Sequence, residues 1–219
     1  MKTLVISDTH LGLPFDEKKY ALLTHIISEA DKVIINGDFW EGFLLSFDEF
    51  FSSDWNKLFP LLKEKQAVYL FGNHDAKEYN NLEKVKAFSI LQAERYTFEE
   101  NGNIFIFEHG HRLLPTEKEP LDINNPKFKK AVRRMDSLEK NFVKYGGRTY
   151  QYLIWFFNSI IKGRVSRNLA KNEFFFCGHT HIHEINHKKR FYNTGIIKHG
   201  LAQYIYIENG EIIPKKERY

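Results

Sequence analysis

The 219-residue chain contains a single cysteine, Cys177, so no disulfide can form within it and a disulfide-stapled secreted scaffold is excluded. Long apolar runs are missing too. The longest, Leu153 to Ile161 (LIWFFNSII), is interrupted by Asn158 and falls well short of the ~20 residues a membrane-spanning helix needs. No basic-then-apolar leader opens the sequence, no internal repeat or low-complexity tract runs through it, and the expected location is the cytoplasm. At 42% hydrophobic and 27% charged residues the composition is that of a globule able to bury a sizeable core, which excludes the disordered and collagen-like classes. The length suits one domain, 1–219, with room for an insertion.

Two features stand out against this background: 16% aromatic residues, and ten histidines placed unevenly. Thr3 to Ser7 is a short β-branched run. In Lys18 to Ala30, Leu22, Leu23, Ile26, Ile27 and Ala30 share one helical face. Lys32 to Ile35 and Ala67 to Phe71 are apolar strands that end in glycine-marked turns. Strands apolar throughout, separated by helical segments, predict a parallel sheet covered by helices. The second half is expected to be antiparallel, because Asn101-Gly102 and Asn209-Gly210 sit between alternating arms in the manner of hairpin turns. Phe174 to Cys177 and Phe191 to Thr194 add strands there, for a sandwiched α/β domain.

One segment interrupts this pattern. Residues 112–173 carry two helical patterns, Lys127 to Lys144 and Tyr150 to about Lys171, on either side of Gly146-Gly147. The segment holds 14 Lys plus Arg against 6 Asp plus Glu, a formal +8, and leaves the remainder at −4. The basicity of the protein belongs to this insertion.

Polar residues gather where strands end: Asp8 and His10, then Asp38, then Asn73, His74 and Asp75, then His109 and His111, then His179 and His181. That edge is where ligands bind in open α/β sheets. Carboxylate, imidazole and carboxamide suit first-row divalent metals, and the donors are too many for one ion. Asp8 and His10, like His179 and His181, are two apart and so point to one side of an extended backbone. A two-metal site needs a shared ligand, and Asp38, alone on its loop, is the natural bridge. Any one of these fragments is commonplace as a turn or cap; all of them in one chain are not. Cys177, within Phe174 to Cys177, reads as a small core residue.

Asp8/His10, Gly37-Asp38-Phe39-Trp40-Glu41, Gly72-Asn73-His74-Asp75, His109-Gly110-His111 and Gly178-His179-Thr180-His181 together resemble the motif series of the calcineurin-like metallophosphoesterases. The resemblance implies an αββα sandwich, two mixed β-sheets with helices outside, and a helical cap formed by the insertion. It implies one metal held by Asp8, His10, Asp38 and His181, and a second held by Asp38, Asn73, His109 and His179. His74 would stand at the reaction centre with Asp75 orienting its ring. Glu41 and His111 would lie behind the ligands or face the substrate. The implied chemistry is phosphoester hydrolysis without a phosphoenzyme: two dications lower the pKa of a bridging water, hydroxide attacks phosphorus in line, and His74 serves the leaving oxygen. Manganese is the expected metal, with Fe, Zn, Co or Ni as alternatives.

The cap narrows the substrate class. Its first helix is basic (Lys127, Lys129, Lys130, Arg133, Arg134) and its second apolar (Tyr150, Tyr152, Leu153, Ile154, Trp155, Phe156, Phe157, Ile160, Ile161), although packing onto the domain explains half of those side chains equally well. Charge beside an apolar groove suits a small phosphorylated, lipid-linked substrate and peripheral contact with an anionic inner membrane face. The arrangement resembles the UDP-2,3-diacylglucosamine diphosphatases. Those typically have H-G-D where His109-Gly110-His111 stands, and many have Arg in place of His74, so this reading is an alternative. A nuclease gripping phosphates through the basic helix is another, and a non-catalytic binding module is a third, disfavoured by the complete ligand set.

Overall fold

In a computed structural model the described residues are 1–114, 123–145 and 148–219, with side chains left out of the description at 148–153. Strand β1 (Lys2–Ile6) leads through α1 (Glu17–Ser28) to β2 (Lys32–Asn36). Helices α2 (Phe47–Phe51) and α3 (Phe59–Glu64), strand β3 (Val68–Leu70), helix α4 (Leu82–Val85) and strand β4 (Leu91–Ala93) follow. The hairpin β5 (Arg95–Glu100) and β6 (Asn103–Glu108) precedes helices α5 (Pro126–Tyr145) and α6 (Arg148–Ser166). The chain then forms β7 (Glu173–Cys177), β8 (Glu184–Asn186), β9 (Phe191–Asn193), β10 (Ile197–Lys198) and the hairpin β11 (Leu201–Glu208) and β12 (Glu211–Arg218). Both hairpins turn on residues with positive φ, Asn101 (53°) with Gly102 (76°) and Asn209 (52°) with Gly210 (85°), the conformation that matches the twist of the paired strands.

Strands β1 to β4 pair in parallel, and β11 joins antiparallel to β1, β10 and β12, completing a seven-stranded mixed sheet. The second sheet has the order β5-β6-β7-β9-β8. Here the expectation of antiparallel pairing needs correction, because β6, β7 and β9 run parallel and only β5 with β6 and β8 with β9 are antiparallel. The segment carrying α5 and α6 joins β6 to β7, and a connection of that length allows the chain to cross over and return in the same direction. The three-residue strands β4 and β8 were not expected, since Leu91–Ala93 and Glu184–Asn186 carry no β-branched run.

Three buried clusters define the layers. The first sheet packs α1, α2 and α3 on its outer face through Leu23, Ile27, Phe50, Leu62 and their neighbours. Between the sheets lie Val5, Ile34, Val68, Phe105, Phe107 and Phe176. Outside the second sheet, Ile161 of α6 sits with Ile106, Phe175, Cys177 and Phe191, flanked by Phe157, Ile160 and Val165. Half of the apolar helix of the insertion is thus scaffold, while Trp155 and Phe156 on its other face are exposed. The side chains of Tyr150, Tyr152 and Leu153 and the Gly146-Gly147 junction lie outside the described residues. Among the described residues no helix is long and apolar enough to cross a membrane.

Helix α5 is attached differently: Glu139 is its one buried residue. Ile161→Ala is therefore expected to lower the unfolding free energy by about 2–5 kcal/mol. Leu138→Ala on α5, at a side chain 56% exposed, is expected to lower it by less than about 0.5 kcal/mol; urea unfolding of the two variants checks both.

Candidate metal centre

The loops leaving β1, β2 and β3 of the first sheet and β6 and β7 of the second converge on one edge. They bring together Asp8, His10, Asp38, Glu41, Asn73, His74, His109, His179 and His181, with Asp8, Asp38 and His109 almost wholly buried. Five of these residues, Asp8, His10, Asp38, His179 and His181, have left-handed backbone with φ between 42° and 69°, which corrects the extended course expected at Asp8/His10 and His179/His181. Non-glycine residues in that region cost about 1–3 kcal/mol each and cluster at functional sites. Here the strain is held by hydrogen bonds from Asp8 N–H to the Gly37 carbonyl and from His10 N–H to the Asp38 carbonyl, both 3.0 Å, while His179 N–H donates to the Asp8 carboxylate at 3.0 Å. The motif glycines answer a steric need. A Cβ on Gly72 would stand 2.1 Å from Asp38 Oδ1, and one on Gly178 would stand 2.2 Å from Asp8 Oδ2.

The donors form two groups. In the first, His181 Nε2 lies 3.3 Å from Asp8 Oδ1 and 3.3 Å from His10 Nε2. In the second, His109 Nε2 lies 3.3 Å from Asp38 Oδ2, and His179 Nδ1 faces Asn73 Oδ1 at 2.9 Å. The same Asp38 oxygen is 3.8 Å from His10 Nε2, so one carboxylate oxygen faces both groups. Donor atoms of Asp8, His10 and His181, and separately of Asp38, His109 and His179, gather within 4.8 Å of one another.

Behind the donors, each of three rings is anchored through Nδ1. His109 Nδ1–H donates to the Asn36 carbonyl at 2.9 Å, His10 Nδ1 meets Glu41 Oε2 at 3.0 Å, and His181 Nδ1 meets Glu139. Such anchoring fixes the tautomer and turns Nε2 toward the centre. His74 is held in the same way, its Nδ1 2.7 Å from Glu41 Oε1. The expectation that Asp75 orients this ring is therefore corrected. Asp75 instead accepts backbone N–H groups from Gly72 (2.7 Å), Asp38 (3.0 Å) and Phe39 (2.7 Å), tying the β2 and β3 loops together. Its position one residue beyond His74 points it back under the loop. His111 stands with its ring 5.5 Å from that of His109 and, among the described residues, its buried Nδ1 meets no hydrogen-bond partner. His183 bonds the Thr194 carbonyl at 2.9 Å, outside the donor groups.

The electrostatics suit cations. Burial opposes charge on His109, but Asp38 and Asp8 outweigh it and raise its pKa to about 10; burial likewise opposes charge on His181, where Glu139 and Asp8 win and raise it to about 10. Burial and a cationic His109 push His179 down to about 3, and burial and Lys198 push His10 down to about 4. Burial works against the Asp38 carboxylate, yet the histidines hold it well below its ordinary range. Carboxylates thus call for positive charge that the imidazoles cannot all supply as protons, because like charges at this spacing repel. Opposed Nε2 atoms at 3.3 Å, and a buried His109 Nε2 with no well-directed hydrogen bond, fit divalent metal ions of intermediate hardness.

A cavity of about 440 Å³ opens over these residues. Its lining also includes the apolar side chains of Phe43, Leu114, Phe128, Val132, Met135 and Phe157 and the polar ones of Asp136, Glu139 and Lys198. Phe43 also packs its ring 3.9 Å from that of His74. Sequence reasoning missed Glu139, Asp136 and Lys198. Nothing in the series Arg133-Arg134-Met135-Asp136-Ser137-Leu138-Glu139-Lys140 separates the buried glutamate from a solvated one, and Lys198 and His199 belong to no motif.

The calcineurin-like phosphoesterase family model matches residues 1–183. No curated protein matches the sequence. Among solved structures, the chain is similar to Yfce, a phosphoesterase from E. coli, at 17% identity and a TM-score of 0.49 over 100% of this chain and 99% of that one. It is similar to an archaeal phosphodiesterase at 16% identity and a TM-score of 0.49 over 99% of both chains. A Vps29 from Entamoeba histolytica complexed with Zn²⁺ stands at 13% identity and a TM-score of 0.45 over 100% of this chain and 99% of that one.

Gly178→Ala is expected to displace the Asp8 carboxylate, lowering both the melting temperature and the divalent-metal content of the purified protein. Calorimetry and elemental analysis read the two effects; unchanged metal uptake would mean that Asp8 is not a ligand.

Proposed function

The chain belongs to the calcineurin-like phosphoesterases, metal-dependent hydrolases of phosphoester bonds, and from that membership we propose that it uses two divalent cations to cleave a phosphodiester or diphosphate bearing an apolar group. The observation that carries this reading is Asp38 Oδ2, set 3.8 Å from His10 Nε2 and 3.3 Å from His109 Nε2, where one oxygen can serve both donor groups. Asp8, His10, Asp38 and His181 would hold one ion, and Asp38, Asn73, His109 and His179 the other. Manganese is the first choice for both, and the oxygen and nitrogen donors would also accept Fe, Zn, Co or Ni. Bound there, the ions neutralise phosphoryl oxygens and lower the pKa of water.

The protein's own groups do the rest. Burial works against a charged His74, but Glu41 and Asp38 outweigh it and raise its pKa. With Nδ1–H given to Glu41 at 2.7 Å, the proton left for a departing oxygen is the one on Nε2. His74 N–H donates to Asp38 Oδ1 at 2.8 Å, which registers the acid against the shared carboxylate. Helices α5 and α6 act as the cap: with Phe43 and Leu114 they give the cavity that holds the donors an apolar wall, which suits a hydrocarbon group attached near the phosphorus. This wall favours a diacylated sugar nucleotide, or another lipid-linked phosphate ester, over nucleic acid. Exposed Lys127, Lys130, Arg133 and Arg134 on α5 support peripheral contact with an anionic membrane at the inner face, and with it a cytoplasmic location.

Asp38→Ala is expected to abolish hydrolysis of bis-p-nitrophenyl phosphate by metal-stripped protein reloaded with Mn²⁺; substantial turnover by the folded variant overturns the shared-carboxylate reading. His74→Ala is expected to keep both metals and lose about 10²- to 10⁴-fold in kcat, and loss of metal would remove it from the acid role. Side-by-side assay of a nucleoside diphosphate sugar, its diacylated relative and single-stranded DNA tests the substrate class. Preference for the acylated compound supports the apolar wall as a binding surface, whereas cleavage of DNA alone overturns it.

A further inference from the structure

Helix α5 lines the cavity with Phe128, Val132, Met135, Asp136 and Glu139. Among the described residues none of its apolar side chains enters a buried cluster, and its one buried residue is an acid, Glu139. Phe128 meets Phe43 edge to face at 5.2 Å between ring centres, and Arg218 donates to the Val143 carbonyl at 3.0 Å. Ionic contacts add to these. Glu139 bonds His181 Nδ1 through one oxygen and Lys198 Nζ through the other, at 3.0 Å. Asp136, one turn earlier, meets Lys198 Nζ at 2.6 Å, and His199 Nε2 stands 3.3 Å from Asp136 and 3.4 Å from Glu139. An element held in this way sits toward the low end of local stability.

Of these partners His181 is special, because its far nitrogen, Nε2, faces Asp8 Oδ1 and His10 Nε2 at 3.3 Å. Through Glu139 the helix that walls the substrate cavity therefore touches the back of a residue that completes one donor group. We propose that Glu139 is a positioning residue through which cap docking and metal binding at the Asp8–His10–His181 end reinforce each other, an inference that rests on the metal-site reading above. With α5 docked, the carboxylate takes the Nδ1–H of His181, sets its tautomer and turns Nε2 inward. With α5 lifted, the ring loses its anchor and the ion loses a preorganised ligand. Linkage makes the effect mutual: an ion that binds better to the docked form must hold α5 down by the same factor. The wall against which the apolar part of a substrate packs would then be complete only in the metal-loaded enzyme.

The test uses the full-length protein, metal-stripped and titrated with Mn²⁺ against a chromogenic chelator, together with amide hydrogen exchange across α5 with and without Mn²⁺. Wild type is expected to take up two ions and to gain exchange protection in α5 on loading. Glu139→Ala is expected to weaken one ion by about 10- to 100-fold, leave the other within about threefold and lose the gain in protection. Glu139→Gln, which keeps an acceptor oxygen but not the charge, is expected to fall between. A purely structural role would loosen α5 equally in the metal-free and loaded forms and leave both affinities alone, and that result overturns the proposal. So does wild-type α5 protection that ignores Mn²⁺, a readout needing no variant. Two ions bound by wild type with unchanged affinities in Glu139→Ala would sink this inference and leave the binuclear reading standing; no uptake by wild type would sink both.

Discussion

A carboxylate buried between two groups of imidazoles is the constraint on which this structure turns. Asp38 is 1% exposed, and its Oδ2 faces His10 from one side and His109 from the other. A buried charge is tolerable only if it is paired and its lone pairs are used. The loops around it are shaped to that end. Asp75 ties the Asp38 and Phe39 amides to Gly72, His74 N–H takes the second Asp38 oxygen, and Gly72 lacks the Cβ that would collide with the carboxylate. Left-handed backbone at Asp8, His10, Asp38, His179 and His181 belongs to the same economy, since an arrangement so strained persists only where its surroundings over-determine it.

Two sheets are needed to build this site. Strands β1, β2 and β3 deliver Asp8, His10, Asp38 and Asn73 from one, and β6 and β7 deliver His109, His179 and His181 from the other. The aromatic layer between the sheets, with Phe105, Phe107 and Phe176 at its centre, sets their spacing and thereby the separation of the donor groups. The Asn36 side chain donates to the Phe176 carbonyl at 3.2 Å and the Asn36 backbone carbonyl receives His109 Nδ1–H, so the His109 ring is registered on the opposite sheet.

Two glutamates carry the influence of the centre outward in different directions. Glu41 joins His10 to His74, the ring that stands beside it. Glu139 joins His181 to helix α5 and so to the apolar wall of the cavity. Burial opposes both carboxylates, and the imidazoles they serve hold both well below the ordinary range. Each glutamate remains an anion able to keep its ring in one tautomer.

Much of this was legible in the residues alone, because the donors of a metal site must be of particular types and must stand where strands end. D-x-H, G-D, G-N-H-D, H-G-H and G-H-x-H are local patterns, and local patterns survive in sequence. So do hairpins at Asn-Gly and strands with apolar residues on both faces. The direction of β7 and β9 was not legible, since it depends on where a long connection returns. Neither was the partner of His74, which comes from Glu41, 33 residues earlier, while the neighbouring Asp75 turns under the loop. Glu139 was the least visible: in sequence it is one acid in a basic helix, and only the docking of α5 buries it against His181. The types of the candidate donors are a property of short motifs, whereas the groups that orient those side chains are chosen by proximity across the fold, which the tertiary structure alone decides.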